Sequence, residues 1–254
     1  MRDFTLDTYK TLCISILDSP FQIKNVKNFL EIEEFDRNIV IMRHDVDSKP
    51  LRSLKMAELE TSLGISSTYY FRYVKSTFKP SIIRKIFDLG HQIGYHYEVL
   101  SKSKGNHTKA IQMFSEQLDK FRQIAPVDTI CMHGSPMYKW NELDLWNLYD
   151  FKDYQILGEA FTSLDFNKIH YFTDTGRTWD GKNFNIRDKI KTVLSTPRIK
   201  TTNELMEVLQ DLNSSICINT HPQRWSSNSI DWYKEYTMQN IKNIGKRLLL
   251  AFRG

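Results

Sequence analysis

Short apolar, β-branched runs recur along this chain, and nearly every one is followed by residues with helical spacing. Ile39-Val40-Ile41-Met42 is the clearest run. Val and Ile at consecutive positions suit a strand buried on both faces, the condition of a parallel sheet whose crossover helices cover both sides. Residues 67–74, 91–96, 129–133, 156–161, 170–173 and 215–220 read as further strands. Helical spacing fills the gaps. Leu51, Leu54, Ala57 and Leu59 precede Gly64; residues 80–89 open on Pro80 and close at Gly90. Ala110, Met113, Phe114, Leu118 and Phe121 form the apolar face of 106–124, and 141–149, 202–212 and 230–244 follow. Residues 247–252 read as a last strand. At the other end, 3–18 and 23–35 read as two helices forming a lid over the N-terminal side. No Gly-, Pro- or Ser-rich linker interrupts the alternation. It therefore predicts one α/β domain over 1–254, with 1–36 as a helical extension. Seven or eight strand–helix units favour a barrel over an open sheet.

The composition excludes several classes. A formal charge of +5, with lysines near 24–27 and 182–191 dispersed among polar residues, is no nucleic-acid footprint. No apolar stretch approaches a membrane span, and the first residues lack a signal pattern, so a soluble, cytoplasmic protein is expected. Cys13, Cys131 and Cys217 lie too far apart for a thiolate zinc knot or a disulfide framework. Cys131 and Cys217 sit in strand-like runs and are expected to be buried. With 15 Phe, 12 Tyr and 5 Trp, most aromatic rings are expected in the core.

The strands end in unusual chemistry. The first ends in Asp45 and Asp47, the second in Arg72, the third in His96 and Glu98, the fourth in His133. The sixth is followed by Asp174, Arg177 and Trp179, the seventh by His221, Arg224 and Trp225. Chemistry in parallel α/β proteins sits at these carboxyl ends. A single acid pair is as readily a helix cap as a site. Six such endings on one rim make a site, because converging polar groups are costly unless paired or used. In an Asp-x-Asp pair, one carboxylate can hold a metal while the other stays free as a base. His96 and His221, at strand ends, read as functional. His133 stands open between a ligand and a satisfied core histidine. His44 and His91 read as hydrogen-bonded core residues, and His107 and His170 as loop or helix-start residues. Trp179 and Trp225 stand open between core and sugar platform.

Arg43-His44-Asp45-Val46-Asp47, the run Gly90 to His96, His133-Gly134-Ser135-Pro136, Asp174 to Trp179 and Thr220 to Trp225 occur in an informative order. Over about residues 38–225 they resemble the motifs of the polysaccharide deacetylase superfamily, the NodB-homology or carbohydrate esterase 4-like proteins. The resemblance implies a distorted (β/α)7-8 barrel that removes N-acetyl groups from amino sugars with a divalent metal, zinc being expected. It makes Asp45 the catalytic base, His221 the general acid, and Asp47 and His96 metal ligands. Asp174 and Trp179 would orient the acid–base partners and shape the acyl pocket, with Arg72, Arg177, Arg224 and Trp225 supporting them or meeting substrate. Two departures are evident. Leu100 stands where a second metal histidine is expected, so His133, Glu98 or water must complete the ligand set. The third segment keeps Pro136 but lacks its arginine. The leading expectation is a metal-dependent N-deacetylase acting on a cytosolic intermediate of surface polysaccharide synthesis. The departures keep in view a formamide or cyclic imide/ureide hydrolase on the same fold, and a carbohydrate-binding barrel without catalysis.

Overall fold

The structure is a computed structural model that describes residues 2–32, 38–135, 137–179, 190, 192–194 and 197–253. Pro136 and most of the 182–191 lysine segment lie outside the described residues. Strands β1 (Gln22–Lys24), β2 (Ile39–Val46), β3 (Thr68–Phe71), β4 (Gln92–Tyr97), β5 (Thr129–Met132), β6 (Gly158–Glu159), β7 (His170–Thr173) and β8 (Ile216–Thr220) form one sheet. Every described pairing is parallel, in the order β6-β5-β4-β3-β2-β8-β7, with β1 added beside β2. Helices α1 (Leu6–Leu17), α2 (Val26–Leu30), α3 (Pro50–Ser62), α4 (Pro80–Asp88), α5 (Val99–Lys102), α6 (His107–Arg122), α7 (Thr202–Asp211) and α8 (Ser229–Arg253) connect or cover the strands. The sheet curls into a partial barrel, and among the described residues no ladder joins β6 to β7.

The period of two along β2 explains why its run is apolar at every position. Val40 and Met42 pack outward with Tyr9, Leu12 and Ile16 of α1 and Leu205 and Leu209 of α7. Ile39 and Ile41 pack inward with Tyr70, Cys131 and Cys217 from three other strands. Cys131 and Cys217 are thus buried hydrophobes, and burial pushes the Cys217 thiol up to about 12.

Several elements differ from expectation. Residues 23–35 do not form one helix: Gln22–Lys24 pair with Ile39–Ile41 as β1, and Asn25 caps α2 by accepting from the Asn28 N–H. Of the two N-terminal helices, only α2 covers the N-terminal ends of the strands, where its Val26 and Lys27 amides donate to Thr68 and Gln92. Helix α1 instead packs on the outer face of the sheet. The 141–149 segment forms a 3-10 turn, Glu142–Asn147, and residues 247–252 continue α8 as helix rather than forming a strand.

His44, pointing outward from β2, is a satisfied core histidine. Its Nδ1 lies 2.6 Å from Thr220 Oγ1 and its Nε2 2.8 Å from Glu60 Oε1. His91 is likewise buried, against Thr61 and the Ala57 carbonyl. Glu60 is the hub: Ser67 (2.6 Å), Tyr69 (2.7 Å) and Tyr9 all donate to it. Burial alone would raise its pKa, yet His44, His91 and the hydroxyl donors hold it at about 2. A carboxyl depressed on folding contributes stability above its unfolded value of 4.5, lost as pH falls toward 2. The shift corresponds to about 3 kcal/mol. Urea midpoints measured across that range should fall less steeply for Glu60→Gln than for the parent chain, whose other depressed carboxylates keep the remaining slope; equal slopes would contradict this role for Glu60.

Candidate active site

Alternation along β2 sends Arg43 and Asp45 inward at its carboxyl end. The chain then turns at Asp47-Ser48-Lys49, with Lys49 in a left-handed conformation (φ 53°), and Pro50 starts α3. Asp45 is buried. Its Oδ2 accepts from Asn219 Nδ2 of β8 at 2.7 Å and from Arg43 Nη2 at 3.2 Å. Burial would raise its pKa, but the Arg43 guanidinium, followed by His96 and His221, holds it below the ordinary carboxylate value. Asp45 is therefore an anion, with Oδ1 left outside those two bonds. Arg43 is fully buried and stacks over the rings of Phe161 (4.7 Å), Tyr70 (5.6 Å) and Tyr171 (5.9 Å).

His96, from β4, and His133, just after β5, bring Nε2 atoms to the other acid. Each lies 3.5 Å from Asp47 Oδ1. The His96 Nδ1 is 3.0 Å from the Cys131 carbonyl, which can only accept, so Nδ1 carries a proton and Nε2 is the nitrogen turned to Asp47. His133 Nδ1 lies 3.2 Å from Glu98 Oε2, within ion-pair distance of that carboxylate. Asp47 Oδ1 is buried and has no hydrogen-bond donor among the described residues. One carboxylate oxygen and two imidazole nitrogens, all within 4.8 Å of one another, can hold a divalent cation when both Nε2 atoms are unprotonated, and the donor set suits zinc with an open position. Asp45, His96 and Cys131 form a second close trio, but Asp45 already neutralises Arg43, which makes it the poorer cation site.

Glu98 lies outside this trio. Arg72 Nη2 at 2.6 Å and Lys102 Nζ at 2.8 Å occupy its oxygens. Burial would raise its pKa, but His133 and these cations hold it well below the usual range. It stands behind His133 and fixes that ring. Glu98→Gln should weaken metal binding roughly ten- to a hundredfold, read by competition against a chelating dye. Unchanged affinity would remove this positioning role.

His221 follows β8. Its backbone N–H and Nδ1 lie 2.9 and 2.6 Å from the two oxygens of Asp174, which also accepts from Arg224 Nη1 (2.5 Å) and Trp225 Nε1 (2.8 Å). Burial opposes ionisation of Asp174, but Arg224 and His221 outweigh it and set the pKa at about 2. The persistent anion fixes the proton on Nδ1 or holds the imidazolium, and aims Nε2 toward Asp47 Oδ2, 3.9 Å away. Asp45, Asp47, His96, His133, His221 and Arg224 line one cavity of about 160 Å³.

Other expected residues lie elsewhere. Trp179 and Trp225 are no sugar platforms: both are almost wholly buried against Phe4, and Trp179 donates to Thr202. An indole in a polar stretch still finds the core when its N–H has a buried acceptor. Arg177 does not reach the cavity. It donates to the Arg224 and Asp3 carbonyls and stacks on Phe4 and Trp232, tying the N-terminus to the rim. Leu100 is in the core because α5 turns it away from His96, where its N–H donates to Glu142. Sequence reasoning passed over Arg43 and Asn219 as partners of Asp45. For Arg43 the signal was present, since i and i+2 share a face of a strand.

No protein-family model matches the chain, and no curated protein matches it. Among solved structures it is similar to a family 4 carbohydrate esterase from Bacillus anthracis, at 10% identity and a TM-score of 0.41, covering 80% of this chain and 74% of that one. It is similar to PdaA of Bacillus subtilis, a family 4 carbohydrate esterase, at 12% identity and 0.42, covering 92% and 83%. It is also similar to a family 4 pseudoenzyme from Bacillus anthracis, at 12% and 0.43, covering 84% and 64%. The likeness is one of overall shape, so the functional reading rests on the residues of the site.

Proposed function

We propose that this chain is a metal-dependent hydrolase that removes an N-acetyl group from an amino sugar, with zinc as its metal. One observation carries the reading: Asp47, His96 and His133 converge as metal donors in the cavity that Asp45 and His221 also line. A divalent metal held there supplies a more acidic water and polarises the amide carbonyl. Asp45, kept ionised by Arg43, takes the proton of the attacking water at Oδ1. His221 donates from Nε2 to the departing nitrogen as the C–N bond breaks, with its Nδ1 held by Asp174. The sequence resemblance supports the same roles for Asp45 and His221.

The test is metal analysis of the purified chain, followed by acetate release from N-acetylglucosamine oligomers and N-acetylglucosamine 1-phosphate. Bound metal and chelator-sensitive acetate release are expected. A chain that retains no metal and releases no acetate overturns the reading. Metal binding with release of formate, or opening of a cyclic imide, would move the activity to another C–N bond.

A further inference from the structure

The reacting cavity opens beside a larger groove of about 530 Å³, bounded by the Asp47-Ser48-Lys49 turn and by α8. Asp47, His133 and Arg224 line both, so a molecule reacting in the first extends into the second. The groove is cationic. Lys49, Arg72, Arg224, Lys234 and Lys242 line it, against only Asp47 and Glu235. Most of these charges are matched: Lys49 by Glu235 at 2.8 Å, Arg72 by Glu98 and Arg224 by Asp174. Asp47 faces the two metal-site histidines. Lys234 and Lys242 have no acid within ion-pair distance among the described residues. They lie on one face of α8 with Met238 between them, about 12 Å apart along the helix axis. Arg72 and Arg224 line the same groove, and Arg224 is only 7% exposed.

Two ammonium groups without an acid partner, in the same groove as the Arg72 and Arg224 guanidiniums, match an anionic group. A neutral polysaccharide would accept hydrogen bonds from these groups but would gain no charge pairing with the lysines. We propose that the substrate carries a phosphoryl group, as a sugar phosphate or diphosphate, which the Lys234/Lys242 groove holds while the acylamino group reaches Asp47. This rests on the hydrolase reading for where the acylamino end lies, but the groove's affinity can be measured without turnover.

Inorganic pyrophosphate is the probe, titrated calorimetrically into the full chain both as purified and after chelator treatment, so that affinity for bound metal is separated out. Binding that survives chelation and weakens with added NaCl is expected. The double variant Lys234→Gln/Lys242→Gln should weaken it roughly tenfold, and Lys234→Arg/Lys242→Arg should restore it. Both lysines are exposed, so neither variant threatens folding. Orthophosphate and pyrophosphate in parallel distinguish a sugar phosphate from a diphosphate. Glucuronate binding as tightly as pyrophosphate, or equal pyrophosphate binding by the parent and the Gln variant, overturns the proposal. Acetate release from neutral oligomers without pyrophosphate binding overturns it while leaving the hydrolase reading intact. Pyrophosphate binding by a chain that as purified holds no metal and releases no acetate supports the groove and overturns the hydrolase reading instead.

Discussion

Asp45→Asn should lower kcat for acetate release about a thousandfold while metal content stays at the parent level. Asn has the same shape and keeps an acceptor oxygen for Asn219, but it cannot take a proton from water. Asp47, His96 and His133 are untouched, so metal retention separates loss of the base from loss of the site. The substitution also leaves Arg43 as a buried cation without its carboxylate, which costs about 3 kcal/mol. Arg43→Met in the same background should recover most of that stability and none of the activity. Activity in Asp45→Asn within tenfold of the parent would remove Asp45 from the chemistry. Recovery of activity with Arg43→Met would mean that the loss was one of folding.

His133→Ala should release the metal, weakening affinity at least a hundredfold in competition with a chelating dye. The informative comparison is His133→Ala/Leu100→His. If the ligand set depended only on spacing from His96, a histidine at 100 would restore binding. The fold predicts that it will not. Leu100 packs in the core with its N–H bound to Glu142, and an imidazole there would be buried among apolar side chains. The double variant should be both metal-free and less stable. Restored affinity would show that α5 can turn, and that His133 is not the ligand this geometry makes it.

Much of the framework was legible in the sequence. A period of two and a period of 3.6 are local properties, so strands such as Ile39–Val46 and helices such as His107–Arg122 could be read from apolar spacing and caps. The exceptions are elements whose state depends on a distant partner. Gln22–Lys24 became a strand because the edge of β2 was there to pair with it. Trp179 and Trp225 read ambiguously for the same reason, since whether an indole is a platform or core depends on what packs over it, and Phe4 does.

By itself the sequence determined that polar residues end the strands of a parallel sheet, and that Asp45, Asp47, His96 and His221 belong to one rim. Those facts come from local patterning and from the rule that carboxyl ends of parallel strands share a face. Only the tertiary structure decided the occupants of the remaining places. It placed His133, rather than Glu98 or Leu100, with His96 at Asp47, because β4 and β5 are neighbours and bring two imidazoles to the same Asp47 oxygen. It set Arg43, not an arginine of the third segment, against Asp45. It made Asp174 the partner of His221 and sent Arg177 to the N-terminus. Each of these is a distance between residues on different elements, and a distance of that kind exists only once the sheet has curled.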